Sequence, residues 1–205
     1  IYIRSRIRKV TLEIGAPVKE AVLSEQLGIS RAPIREALQV LVQEGLITSE
    51  PQKGKHVRQM TGKEIYDSYV VAGILEGAGV AESLPLWTEA NMETFRSVVR
   101  QMEGKISYAT KLDELAEIDE LFHATLFMAC DNTRLVEMAR TSCATISKYL
   151  YYQHWITMFT PREYADRHHA VAEAVYSRDV KHVETALRDH YKETGLRMAQ
   201  FGKEA

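Results

Sequence analysis

The chain has 205 residues, 45% of them hydrophobic, and a formal net charge of −2, which is enough for one large domain or two modest ones with a real core. No run of 18 or more apolar residues occurs, so no membrane span is expected, and no signal peptide is visible in the sequence given. The charge is uneven: residues 1–60 carry ten Lys/Arg and six Asp/Glu, residues 61–205 sixteen and twenty-two, so an anionic partner is expected for the first part alone.

From the N-terminus, Ile3, Ile7, Val10 and Leu12 recur at helical spacing over 2–12, and Gly15 and Pro17 break that helix. A short helix follows from Glu20 to Leu27. Gly28 makes a tight turn, and Ser30 is a suitable N-cap for a third helix. Pro33 is tolerated in that helix's first turn. Its apolar stripe is Ile34, Leu38, Leu41 and Val42, and Gly45 stops it. Two short β-like runs, Leu46–Ser49 and His56–Met60, then flank Pro51, Gln52, Lys53 and Gly54 as a hairpin with a basic tip. Three helices and a small hairpin outline a winged helix-turn-helix over residues 1–60.

Residues 61–205 read as an all-α antiparallel bundle, with helices near 62–83, 88–107, 111–129, 132–154, 161–177 and 180–200. Cys130 and Cys143 show no metal-type spacing. Two buried thiols in a reducing cytosol are expected, a disulfide being the alternative. The fold class is therefore mainly α.

Arg31 and Arg35 open the third helix, at the end where the dipole disfavours cations. A DNA partner resolves that conflict, because the front of a recognition helix meets base edges and arginine pairs with guanine or phosphate. Ser30, Arg31, Ala32 and Arg35 form the expected contact surface, with Lys53 and Gly54 at the wing.

In the bundle, the inward stripe of 111–129 reads Leu112, Leu115, Asp119, Phe122, His123, Leu126. Asp119 and His123 are four apart and share a face. His168 lies on the stripe of 161–177 and His190 on that of 180–200. One carboxylate and three imidazoles buried together need partners, and a divalent transition metal (Zn²⁺, Ni²⁺, Mn²⁺ or Fe²⁺, with zinc the first choice) would satisfy all four. His56, His154, His169 and His182 fall outside the set. Ser142, Thr145 and Tyr149 are spaced to face inward on 132–154, as contacts for a bound effector or as ordinary core positions.

These segments resemble a known family. "LSEQLGISRAPIREALQVLVQEGLI…QKGKHV" closely resembles the DNA-binding domain of GntR-type transcription regulators. That resemblance implies operator contacts from Arg31 and Arg35, and a wing tip at Lys53 and Gly54 near the minor groove. Ala32 stands where the family usually has Thr, and Ala21 where some members carry a DNA-contacting Arg. "DELFHATLFMACDN" and "RHHAVAEAVYSRDVKHVETALRDHY" resemble the FCD ligand-binding domain of the FadR subfamily. By that match Asp119, His123, His168 and His190 are metal ligands. The resemblance further implies a homodimer and a small carboxylate effector beside the metal. "AGILEGAGVAES" resembles the family's R-x-x-L-E stretch with Ala72 in place of Arg, so the metal is expected to carry more of the effector's charge.

The expected function is a cytoplasmic, ligand-responsive transcription regulator, a repressor, that binds double-stranded operator DNA. Two rivals are a metal-dependent enzyme acting on a small carboxylate and a regulator whose metal is purely structural. Against the enzyme, no general base or nucleophile is spaced to serve the set. Glu173 comes nearest, off the stripe.

Overall fold

The computed structural model describes residues 1–204. Helices α1 (Tyr2–Arg8), α2 (Glu20–Leu27) and α3 (Arg31–Gln43) precede strands β1 (Ile47–Glu50) and β2 (Gly54–Val57). The strands pair antiparallel from Ile47↔Val57 to Glu50↔Gly54. The hairpin is thus shifted from the expected bounds: β1 begins one residue later, and β2 begins at Gly54 and ends before Met60. Gly54 supplies the positive φ, +83°, that closes the tip. Helix α1 stops at Arg8, short of the expected residue 12, because Val10 takes a left-handed φ of 55° and the chain folds back.

The remainder is helical: α4 (Gly62–Ser83), α5 (Glu89–Ile106), α6 (Ala116–Leu126), α7 (Thr133–Ser142), α8 (Tyr152–Trp155), α9 (Pro161–Ser177) and α10 (Val180–Ala199). Reciprocal capping boxes start three of them, Thr61 with Glu64, Thr88 with Asn91 and Thr160 with Glu163. Asn132 and Asp179 cap α7 and α10. The apolar segment Gly62–Leu86 reaches a mean hydropathy of 1.2 over an 18-residue window, half of which is buried. It passes length and composition criteria for a span, but α4 packs inside the bundle against α10 and α7. Gly73 and Gly195 make the α4–α10 approach possible. A Cβ at Gly73 would meet the Tyr191 Cβ at 2.9 Å, and one at Gly195 the Tyr69 Cβ at 2.8 Å. This close seam brings Glu76 on α4 against Tyr191 on α10.

The single helix expected over 132–154 is in fact three pieces. Helix α7 ends at Ser142, a π turn runs over Ile146–Leu150, and α8 follows. Hydroxyls of Thr141, Ser142 and Ser147 bond back to the carbonyls of Glu137, Met138 and Cys143, which loosens the ladder. The wide turn then rotates Ile146, Leu150 and Tyr151 into a core shared with Ile7, Leu38, Leu41, Leu46 and Met60. The two parts of the chain are therefore joined through one apolar cluster. A second cluster around Phe95, Phe122 and Leu187 fills the bundle. Cys130 and Cys143 are free thiols and half-buried, not fully buried as expected.

Candidate metal centre

Three helices converge on one point. His123 from α6, His168 from α9 and His190 from α10 each present a ring nitrogen within 4.8 Å of the others'. Asp119, one turn before His123, places Oδ1 3.1 Å from His168 Nε2 and 4.0 Å from His123 Nε2. His168 is 1% exposed and His190 9%.

Hydrogen bonds fix which nitrogens are available. His168 Nδ1 donates to the Tyr164 carbonyl at 2.8 Å, so in the neutral ring Nε2 is a lone pair. That lone pair faces a carboxylate oxygen, an arrangement that calls for a proton or a cation. Two ligands bound to one ion at about 2.1 Å lie about 3.0–3.4 Å apart, as Nε2 and Oδ1 do. His190 Nδ1 is buried with no partner among the described residues, a cost unless something coordinates it. His123 Nδ1 lies 2.6 Å from Glu76 Oε1, and the Tyr191 hydroxyl donates to Glu76 Oε2 at 2.6 Å. A carboxylate behind a histidine sets the ring's tautomer and direction. The three imidazoles therefore fit a transition metal, with Asp119 beside His168 and His123 but not within 4.8 Å of all three.

The electrostatics are divided. Burial alone would keep His123 neutral, but the charge and hydrogen bond of Glu76, then Asp119, push its pKa up to about 9. Burial lowers His168, and burial with the nearby Arg167 charge drives His190 well below the usual imidazole range. Burial would raise Asp119, yet the neighbouring His168 ring and the His123 charge hold it below the ordinary aspartate value.

The cluster lies in the wall of a cavity of about 860 Å³. Tyr149 lines it. Ser142 and Thr145 do not, which corrects the expectation for both: the break after α7 turns them away. Ser142 bonds to the Met138 carbonyl, and Thr145 donates 3.1 Å to the Glu44 carbonyl at the end of α3. Ala72 is fully buried. Arg167 lines the cavity but is committed to Glu193, the His190 carbonyl and the Thr194 hydroxyl. Glu76, Arg167 and Tyr191 were not singled out from sequence. Glu76 had a signal, being a lone charge in the apolar run "GILEGAGVA". His169 stands outside, 3.3 Å from Glu103.

On the opposite part of the molecule, Arg31 and Ala32 are exposed at the start of α3, whose first turn holds no acidic residue. Arg35 is 68% exposed and reaches Glu20 at 3.3 Å. Ser30 occupies the N-cap position, but its side chain makes no capping bond, contrary to expectation. Lys53 pairs with Glu50 at 2.8 Å on the wing.

A solvent-facing helix-turn-helix with a basic front, joined to a bundle with inward imidazoles, defines a DNA-binding transcription regulator. Residues 2–57 match "Bacterial regulatory proteins, gntR family" and residues 67–193 match the "FCD domain". The chain belongs to the GntR family, with an FCD domain behind its helix-turn-helix. It is 26% identical over 193 residues to the HTH-type transcriptional repressor RspR of Escherichia coli (strain K12), across 93% of this chain and 82% of that protein. It is 30% identical over 131 residues to the gluconate operon transcriptional repressor of Bacillus subtilis (strain 168), covering 64% of this chain and 53% of the repressor. Among solved structures it resembles E. coli McbR/YncC with a TM-score of 0.72 at 19% identity, over 98% of this chain and 94% of that one. Both sequence relatives are transcriptional repressors by name.

Proposed function

We propose that the chain is a cytoplasmic, homodimeric repressor that releases or grips operator DNA according to a small organic acid bound beside a metal. The carrying observation is the His168 Nε2 lone pair facing Asp119, with His123 and His190 beside it in a cavity wall. Asp119, His123, His168 and His190 would hold the ion, with zinc the first candidate among Zn²⁺, Ni²⁺, Mn²⁺ and Fe²⁺. When bound, the ion supplies positive charge and an open position for a carboxylate. Glu76 orients His123, and Tyr164 orients His168. Tyr149 is retained as an effector contact. Val71 and Ile74 stand exposed three residues apart on α4, a surface that a second copy would cover. The effector shifts DNA binding only by its different affinity for the two arrangements.

Thermal shift of the zinc-loaded chain across small carboxylates tests this reading. A ligand at a hundred times its Kd adds about 2.7 kcal/mol, roughly 5–10 °C for a chain of this size. The shift is expected to vanish with chelator. Carboxylates that stabilise the chelated protein equally would contradict it, and a metal that stabilises while no carboxylate does would leave the metal purely structural.

For DNA, Ser30, Arg31, Ala32 and Arg35 are the proposed base-facing surface, and Lys53 and Gly54 the wing contact. Arg31→Ala and Arg35→Ala are each expected to weaken binding to an operator selected from random duplexes by about 1–3 kcal/mol. Wild-type affinity for both in a fluorescence titration would contradict the assignment.

A further inference from the structure

The cleft that holds the imidazole cluster is lined by residues of the bundle and by Arg8, which reaches it from α1 of the DNA-binding part. The Arg8 guanidinium lies 3.9 Å over the Tyr152 ring and donates to the Tyr152 hydroxyl at 2.5 Å. Asp113 is 3.5 Å away and about half-exposed. The next residues of the same segment hold the same region. Tyr151 takes the Met60 N–H at 3.2 Å and donates to the Met60 carbonyl, and Gln153 donates to the Arg8 carbonyl at 2.9 Å. The π turn just before, Ile146–Leu150, has Ser147, Lys148 and Tyr149 on the cavity while Ile146 and Leu150 pack into the shared core.

We propose that Arg8 is a specificity-determining residue of the effector site, reading the outer anionic group of a two-ended acid whose inner carboxylate sits at the imidazole cluster. The inference rests on the preceding reading of that cluster as a metal and effector site. Three observations support it. The cleft of about 860 Å³ extends from the imidazoles to Arg8, leaving room beyond a carboxylate bound at the imidazoles for a second anionic group. Among the other lining cations, Arg167 is committed to three acceptors and Lys148 pairs with Glu120 at 3.0 Å, whereas the carboxylate facing Arg8, Asp113, stands farther off at 3.5 Å. Arg140 has no carboxylate within ion-pair distance among the described residues and nothing holding its guanidinium in place, whereas Arg8 is pre-positioned by an aromatic face and a hydroxyl. An anion at Arg8 competes with Tyr152, so ligand binding and the grip on α1 draw on one side chain. That gives the effector a direct handle on the DNA-binding part.

The test uses the full zinc-loaded chain and calorimetric titration with α,ω-dicarboxylates from malonate to adipate, each beside the monocarboxylate of equal length. At least one diacid is expected to bind tenfold or more tightly than its monoacid. Arg8→Gln should abolish that preference while leaving monoacid affinity within twofold, and Arg140→Gln should retain it. In the unmodified chain, the Arg8 Nε–H resonance should move with the diacid and not with the monoacid, which keeps the test valid if R8Q folds poorly. A preference surviving in R8Q, or lost in R140Q alone, or an Arg8 resonance indifferent to the diacid, overturns the proposal. Monoacids that bind independently of Arg8 without any diacid preference overturn it while sparing the metal-site reading. Failure of every acid to bind overturns both.

Discussion

His168→Ala is expected to remove nearly all of the metal that the wild-type chain retains after gel filtration. His168 is the most buried of the three imidazoles, at 1% exposed. Its ring is locked by the Nδ1 bond to Tyr164, and its Nε2 lies closer to the Asp119 carboxylate than His123 Nε2 does, 3.1 against 4.0 Å. Alanine deletes one donor and removes the ring that faces Asp119 at 3.1 Å, so two of four proposed ligands are disturbed together. Neighbouring His169→Ala is the control, since that ring lies outside against Glu103. Elemental analysis of both variants decides it: H169A should match wild type. Metal retained in H168A and lost in H169A would contradict the geometry of α9.

Phe122→Ala is expected to cost about 3–5 kcal/mol of stability, measured by urea unfolding with EDTA present so that metal makes no contribution. Phe122 is fully buried. Its ring centroid lies 5.3 Å from Phe95, 5.5 Å from His123 and 5.0 Å from His168. Truncation opens a void directly beneath two of the imidazoles, which cannot collapse without moving α6 or α9. The same variant should therefore also hold zinc more weakly. A loss below about 1 kcal/mol would mean that the bundle repacks freely there, against the rigid core described.

Much of the architecture was legible from pattern. Helix α4 spans Gly62–Ser83 and α9 Pro161–Ser177, as periodicity implied. The inward placement of His123, His168 and His190 followed from the apolar stripes that surround them, because a buried helix face dictates the direction of every residue on it. What failed was what depends on contacts distant in sequence. The 132–154 stretch carries a helical pattern, but its Ser/Thr back-bonding and its docking against α1 and α3 break it. Ser142 and Thr145 were lost to the cavity with that break. Glu76 was missed because its role exists only through Tyr191 and His123, brought near by the glycine seam between α4 and α10. Arg8 was invisible for the same reason: its partner Tyr152 is 144 residues away.

The central claim is that the imidazoles of α6, α9 and α10, with Asp119, enclose an ion. Anomalous diffraction at the zinc edge, from crystals of the zinc-loaded chain, tests it most directly. One strong peak per chain is expected within about 2.0–2.2 Å of ring nitrogens from His123, His168 and His190. A cluster without a peak, or zinc bound only at other residues, would contradict it.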